Sequence, residues 1–212
     1  MLKYNFKKDK ICFFKKALSL DLANFMYKYL LLKRSVFKII DSTRYVSPFN
    51  QDFGKFGDSQ CKPTTFCIYG DPAGDTILTW VQSLIEKEVG SLLIPTYSYA
   101  RVYEKGDILK RHVDRAACEI SGTIFLGGND WPIYIDPTGK KKQKGVKVEM
   151  NPGDMLIYSG SELEHWRNEF KGTHCVQLFV HFNRAGYGKS ELNKFDRRPM
   201  LGLPGNFAKN TD

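Results

Sequence analysis

At Tyr97 the hydrophobic period of the chain changes, and that change limits the possible folds more than any other feature. Downstream, apolar residues alternate with polar ones or fall in short runs, which is the pattern of strands rather than helices. The pattern predicts strands over 96–103, 107–112, 119–126, 132–136, 145–149, 154–158 and 174–182. Between them lie Lys105-Gly106, Gly127-Gly128-Asn129, Pro137-Thr138-Gly139 and Asn151-Pro152-Gly153-Asp154. These are turn sequences, because glycine supplies positive φ and proline presets the first turn position. Six or seven short strands over about 85 residues predict a mainly β fold with supporting α, built on a cupin-like jelly roll or double-stranded β-helix.

Ahead of that stretch the period is helical. Residues 18–32 are dense in apolar side chains and predict a largely buried helix, with Ser19 or Asp21 as N-cap. Residues 41–62 are polar and carry Pro48, Gly54 and Gly57, which predicts a long loop of the kind that is more often functional or mobile than inert. A second helix is predicted over Asp75–Val89, capped by Asp75 or Thr76. Its stripe is Ile77, Trp80, Val81, Leu84, Ile85 and Val89, and Gly90 stops it. The chain thus divides into a helical support with a long loop (1–95), a jelly-roll core (96–183) and a tail (184–212), all within a single domain. Gly186, Gly188, Pro199, Gly202, Pro204 and Gly205 predict that the tail wraps the surface or is partly disordered.

Composition narrows the setting. No apolar run approaches the ~20 residues of a membrane span, so no membrane partner is predicted. The start, Met1 to Lys8, is basic but lacks a following apolar region and cleavage site, which predicts no signal peptide. Five cysteines, odd in number and without C-x-x-C spacing, argue for a reducing compartment, read here as the cytoplasm. The net charge of +9 is spread along the chain. Its densest cluster, Lys140 to Lys144, reads as a solvated hairpin tip, with a charged substrate rim as the other reading.

The chemistry-bearing residues are His112-Val113-Asp114 and, 53 residues beyond His112, His165. A His and an Asp at i and i+2 on a strand share one face. A second His returned by a later strand can close a three-point cap on one metal ion. Two imidazoles and one carboxylate, with the remaining positions open, are the ligand set of a non-haem Fe(II) site that activates oxygen.

Tyr103-x-x-Gly106, His112-Val113-Asp114, Asn151-Pro152-Gly153-Asp154, His165, and Gly172 before the last core strand together resemble the 2-oxoglutarate- and Fe(II)-dependent dioxygenases, and most closely their prolyl 4-hydroxylase-like branch. The resemblance covers roughly residues 96–183. It implies that His112, Asp114 and His165 hold iron, that 2-oxoglutarate chelates the metal, and that O2 takes the last position. It further implies release of succinate and CO2 and oxidation of an unactivated C–H bond, with the hard chemistry carried by the cofactor. Ascorbate joins the cofactors on the same ground. Asp114 stands where related halogenases lose the carboxylate, which favours hydroxylation over halogenation. The implied substrate is a prolyl or other amino-acid residue in a peptide or protein.

The family places Arg or Lys nine or ten residues after the distal His, to pair with the far carboxylate of 2-oxoglutarate. Here that ninth residue is His174, which can hold a proton beside a carboxylate. Arg167, two residues after His165, is the competing anchor, because a guanidinium grips a carboxylate through two parallel hydrogen bonds. Lys171 is a third. Tyr97, Tyr99 and Tyr103 share one strand face and can donate hydrogen bonds to a carboxylate or pack in the core. Trp166 can shield the metal or pack. By alternation, Lys110 shares the face of His112, while Arg111 and Arg115 share the opposite one.

Two other functions fit parts of the sequence. The basic charge suits an AlkB-like nucleic-acid demethylase, but that family's paired arginines are missing from Thr173-His174-Cys175-Val176-Gln177-Leu178. A non-catalytic jelly-roll binding module with a structural zinc would more usually fill four positions with Cys and His.

Overall fold

The computed structural model describes residues 4–47, 49–186 and 188–209. Parts of the start (Met1 to Lys3), of the predicted loop (Pro48) and of the tail (Tyr187 and 210–212) lie outside the described residues. In chain order the elements are α1 (Phe6–Asp9), β1 (Ile11–Phe14), α2 (Leu20–Ser42), β2 (Lys55–Phe56), β3 (Phe66–Tyr69), α3 (Pro72–Val89) and β4 (Leu93–Glu104). They continue with β5 (Leu109–His112), β6 (Ile120–Gly128), β7 (Ile133–Ile135), β8 (Val146–Val148), β9 (Met155–Ser159), β10 (His165–Arg167) and β11 (His174–Arg184).

Two antiparallel sheets face each other. The larger has the order β1-β9-β6-β11-β4-β3-β2 and the smaller β5-β10-β7-β8. Tyr103, Leu109, Phe125, Ile133, Ile135, Tyr158 and Phe179 fill the space between them. On the outer face of the large sheet, Val176, Leu178 and Val180 of β11 meet Met26, Leu30 and Phe37 of α2 and Ile77, Leu78 and Val81 of α3. β11 is buried without a break from Cys175 to Asn183 because it is covered on both sides, with Cys175 and Phe179 turned to the inter-sheet core. Truncating a side chain such as Leu178, 1% exposed, removes about 2–5 kcal/mol of stability. This is a jelly roll with helical support, the fold class expected from the sequence.

Several boundaries differ from expectation, each for a physical reason. The first helix runs to Ser42 rather than stopping at residue 32. No Gly or Pro interrupts residues 33–42, and Phe37 prolongs the buried stripe of Met26 and Leu30. The second helix begins at Pro72, not Asp75. Proline suits a first helical position, and the Asp71 side chain caps the helix by accepting from the Ala73 N–H at 3.0 Å. Asp75 is instead buried, accepting from the N–H and hydroxyl of Ser98 at 2.8 and 2.7 Å. The stretch read as helical support also contributes β1, β2 and β3 to the large sheet. In the tail, Arg198 is buried and donates to Asp75 and to the Thr96 carbonyl, both at 3.2 Å. Lys140 to Lys144 form an exposed connection between β7 and β8.

One turn matters to the site. Gly153 in the Asn151-Pro152-Gly153-Asp154 turn has φ +90°, and a Cβ there would lie 2.5 Å from the Leu18 carbonyl. Only glycine fits both conditions, and the turn launches β9 into the core behind His165.

Candidate metal centre

β10 pairs with β5 so that His165 lies opposite His112, and Asp114 follows two residues after the end of β5. The Asp114 N–H donates to the Gly160 carbonyl at 2.8 Å, which ties this residue to the end of β9. The three side chains converge. Nε2 of His112 is 3.4 Å and Nε2 of His165 3.5 Å from Oδ1 of Asp114, and one ligand atom from each falls within 4.8 Å of the others. Nδ1 of His112 lies 2.6 Å from the Lys110 carbonyl and Nδ1 of His165 3.1 Å from the Leu163 carbonyl. A carbonyl can only accept, so each Nδ1 donates and each Nε2 turns toward the other two side chains. Burial alone would raise the Asp114 pKa, but the neighbouring imidazoles hold it well below the carboxylate range. The donor set, two imidazoles and one carboxylate, suits a divalent first-row metal such as Fe(II).

The triad lies at the wall of a cavity of about 480 Å³, lined also by Tyr158, Tyr97, Tyr99, Arg101, Phe179 and His181. The inner face of β4 supplies Tyr97, Tyr99 and Arg101 at period two, with Tyr103 next on that face, fully buried between the sheets. The Tyr103 hydroxyl accepts from Nη1 of Arg101 at 3.0 Å. Tyr97 stacks on Tyr69 and His181, and its hydroxyl meets the Cys118 thiol at 3.1 Å. Arg101 is tied to Asp58, in the connection between β2 and β3, through Nε at 2.9 Å and Nη2 at 2.6 Å, and that guanidinium keeps the Asp58 carboxyl low against the opposing effect of burial.

Arg167 is fully buried. Its Nη1 donates to the Trp131 carbonyl and its guanidinium lies 5.3 Å from the Trp131 ring centre. Nε and Nη2 have no partner, and among the described residues no carboxylate pairs with it. Burial lowers its pKa, while nearby Cys175, Tyr103 and Tyr158 act the other way. An uncompensated buried cation is costly, so two orphaned donor nitrogens in the inter-sheet core favour an anion beside them.

Other sequence expectations are corrected. His174 does not enter the cavity. It begins β11 on the face turned to α2, stacked on Tyr27 with Nε2 at 2.5 Å from that hydroxyl. The register of β11 turns Cys175, not His174, inward. Lys171 is exposed and paired with Glu169 at 2.6 Å. Trp166 stacks on Tyr134 and carries Arg111 over its ring at 4.1 Å, on the face of β10 away from the metal ligands. Arg115 lines the cavity rather than facing away, because β5 ends at His112 and strict alternation ends with it; its guanidinium grips Asp196 at 2.8 and 2.6 Å.

Four further residues surround the candidate metal centre that are not among the site residues expected from the sequence: Arg101, Ser121, Tyr158 and His181. Arg101 falls in period two with Tyr97, Tyr99 and Tyr103, and His181 with Cys175, Gln177 and Phe179, so the signal was present for both. Ser121 and Tyr158 are placed by tertiary packing alone.

No protein-family model matches the sequence, and no curated protein matches it either. Solved structures do match in fold. A prolyl-4-hydroxylase from Pseudomonas putida shares 14% identity with a TM-score of 0.59, covering 85% of this chain and 96% of its own. AviO1 from Streptomyces viridochromogenes shares 12% with a TM-score of 0.63, covering 88% and 95%. HygX from Streptomyces hygroscopicus, solved with nickel, 2-oxoglutarate and hygromycin B bound, shares 10% with a TM-score of 0.61, covering 86% of each chain. At these identities the likeness is one of fold.

Proposed function

We propose that this chain is an Fe(II)- and 2-oxoglutarate-dependent dioxygenase that oxidises an unactivated C–H bond. The observation that carries this reading is the pairing of an open-sided His112–Asp114–His165 cap with a buried arginine that lacks a counter-charge. Charge accounts for both together. A divalent metal less the Asp114 carboxylate leaves one positive charge, and Arg167 adds a second. A dicarboxylate such as 2-oxoglutarate supplies two negative charges and cancels them, while Arg101 and Arg115 are already neutralised by Asp58 and Asp196.

In this reading His112, Asp114 and His165 hold the metal from one side and leave the cavity side open. The orphaned Nε and Nη2 of Arg167 take the far carboxylate of the co-substrate through parallel charge-assisted hydrogen bonds. The Tyr103 hydroxyl already accepts from Arg101, so its own proton remains free to be donated to an anion. Tyr158, Leu109 and Phe179 keep that part of the cavity apolar and limit water access. Iron, when bound, would supply the O2 chemistry, with O2 as the oxidant and two of its four electrons drawn from 2-oxoglutarate, which becomes succinate and CO2, and two from the C–H bond.

The substrate we assign is a prolyl or other amino-acid residue in a peptide or protein. The fold shared with the P. putida prolyl-4-hydroxylase along nearly all of that chain supports it. The inward residues of β11 are Cys175, Gln177, Phe179 and His181, none of them an arginine, so the nucleic-acid demethylase reading gains no support from the site.

The test is turnover. Protein supplied with Fe(II), 2-oxoglutarate and ascorbate as reductant should form succinate slowly without any prime substrate, and Asp114→Ala should abolish it. Succinate at the wild-type rate from the Asp114→Ala protein would overturn the ligand assignment. Proline-containing peptides should gain one oxygen atom; oxidation of methylated bases in preference to any peptide would overturn the substrate class.

A further inference from the structure

Beyond the metal centre, the described residues contain a second cluster of reactive side chains, Asp58, Cys61 and Cys67. It forms where residues 57–65 fold onto β3. The Gly57 N–H donates to the Thr65 carbonyl at 2.7 Å and the Thr65 N–H to the Lys62 carbonyl at 3.1 Å, which turns the chain back on itself. The two sulfur atoms are thereby brought to 3.8 Å. Cys67 is fully buried in β3, whereas Cys61 is partly open to solvent.

The cluster is not a cation site. Oδ2 of Asp58 accepts from Nε and Nη2 of Arg101 and from the Tyr99 hydroxyl, at 2.9, 2.6 and 3.0 Å. Oδ1 accepts from the N–H groups of Gln60 and Cys61 at 2.8 and 3.1 Å. No carboxylate lone pair is left for a metal, and a guanidinium sits against the place it would occupy.

We infer that Cys61 and Cys67 form a redox-active dithiol that closes to a disulfide by exchange with a low-molecular-weight disulfide. Geometry sets the order of attack. Cys61 is the thiol a solvent-borne oxidant can reach. The thiol of Cys67 hydrogen-bonds to it and the charge of Arg101 favours its thiolate, which lowers its pKa against the opposing effects of burial and Asp58, while the Cys67 thiol, buried and donating to Cys61, is raised and stays protonated until the second step. The Cys61 thiolate attacks one sulfur of the small disulfide, forming a mixed disulfide and releasing one thiol. Cys67 then attacks Sγ of Cys61, the Cys61–small-thiol bond breaks, and the proton of Cys67 leaves with the second small thiol. The balance is two protein thiols and one small disulfide giving one protein disulfide and two small thiols. In a reduced thiol pool the pair stays open; an oxidised pool closes it.

Closure must bring the sulfurs from 3.8 Å to about 2.05 Å, so Cys61 moves toward β3. The same short loop carries Asp58 and Gln60, both hydrogen-bonded to Arg101, and with Ser59 they line the cavity. The thiol pair is therefore mechanically joined to the mouth of the cavity, although its own chemistry does not depend on what the cavity does.

The test uses no turnover, so it fails or succeeds separately from the proposed activity. Lys62 precedes a proline, so Cys61 and Cys67 share one tryptic peptide, residues 56–87, with no other cysteine. Native wild-type protein is incubated with oxidised glutathione, quenched in acid, alkylated and digested. The expected peptide is lighter by two hydrogens and carries no alkyl group, dithiothreitol restores both thiols, and Cys12, Cys118 and Cys175 remain alkylated throughout. Cys67→Ser should trap glutathione on Cys61, and Cys61→Ser should leave Cys67 unmodified. Full alkylation of wild-type peptide, or glutathione held on Cys61 with no internal bridge, would overturn the inference. So would equimolar Zn(II) shielding both thiols, which would make the cluster a metal site. The wild-type measurement stands even where a variant does not fold.

Discussion

The Ser121 hydroxyl donates a 2.7 Å hydrogen bond to Oδ2 of Asp114, while Oδ1 of the same carboxylate faces Nε2 of both His112 and His165. Nδ1 of His181 lies 3.0 Å from that hydroxyl. The serine has one proton and gives it to Asp114, so His181 donates to the serine oxygen. A fixed chain of two hydrogen bonds thus decides which carboxylate oxygen is offered to a metal.

Removing the middle of that chain should cost metal affinity without costing the fold. Ser121→Ala is expected to weaken binding of Mn(II) or Ni(II), measured by calorimetry, by about 10- to 100-fold, the usual effect of deleting a group that orients a ligand. Far-ultraviolet circular dichroism should not change. Unaltered affinity would show that packing alone orients Asp114.

Arg167 should trade stability for co-substrate binding. Arg167→Leu removes a buried cation with two orphaned donors and keeps the core filled, so the protein without co-substrate should become more stable, by on the order of 1 kcal/mol or more in urea denaturation. Affinity for 2-oxoglutarate in the Mn(II)-loaded protein should fall about 30-fold or more, equivalent to about 2 kcal/mol. His174→Ala should change that affinity little, because His174 lies on the helix-facing side of the sheet. A larger loss from His174→Ala than from Arg167→Leu would reverse the assignment.

These two cases show where sequence periodicity carries the argument and where it stops. Alternation along β4 and β11 is readable because both strands are long, and it separates Phe179 in the inter-sheet core from Leu178 under the helices. The same rule fails at Arg115, which lies beyond the end of β5, and at His174, where counting from His165 cannot supply the register of a strand reached through a turn. β1, β2 and β3 are two to four residues long and gain their identity from pairing with distant strands, which no local window contains. His112, Asp114 and His165 stand out because few side chains ligate metals; Ser121 does not, because a serine on an apolar strand has no signal until its neighbours are known.

His181 should make stability depend on pH. Burial pushes its pKa down to about 4, with Asp114 opposing and Arg115 reinforcing the shift, whereas an unfolded histidine titrates near 6.5. Between these values the unfolded chain binds a proton that the folded chain does not, so stability falls with falling pH. The contribution is complete above about pH 6.5 and is lost progressively toward pH 4, amounting to about 3 kcal/mol. Urea midpoints of the metal-free protein should drop across this window for wild type and drop less for His181→Gln. Parallel profiles for the two proteins would show that His181 is not the group responsible.

Gly160 has no room for a side chain, and its neighbours determine what a substitution does. A Cβ there would lie 2.5 Å from Oδ2 of Asp114, 2.4 Å from the Ser121 hydroxyl and 2.5 Å from the Cys118 carbonyl. The carbonyl is backbone and cannot rotate away, so strain falls on the whole segment; overpacking of this kind costs about 1–3 kcal/mol. The other two atoms are the carboxylate oxygen and the hydroxyl that hold the metal-facing geometry. Gly160→Ala should therefore lower the urea midpoint and weaken Mn(II) binding together, whereas Ser121→Ala should weaken binding with a smaller effect on stability. A Gly160→Ala protein with wild-type metal affinity would show that Asp114 can shift without losing its place opposite His112 and His165.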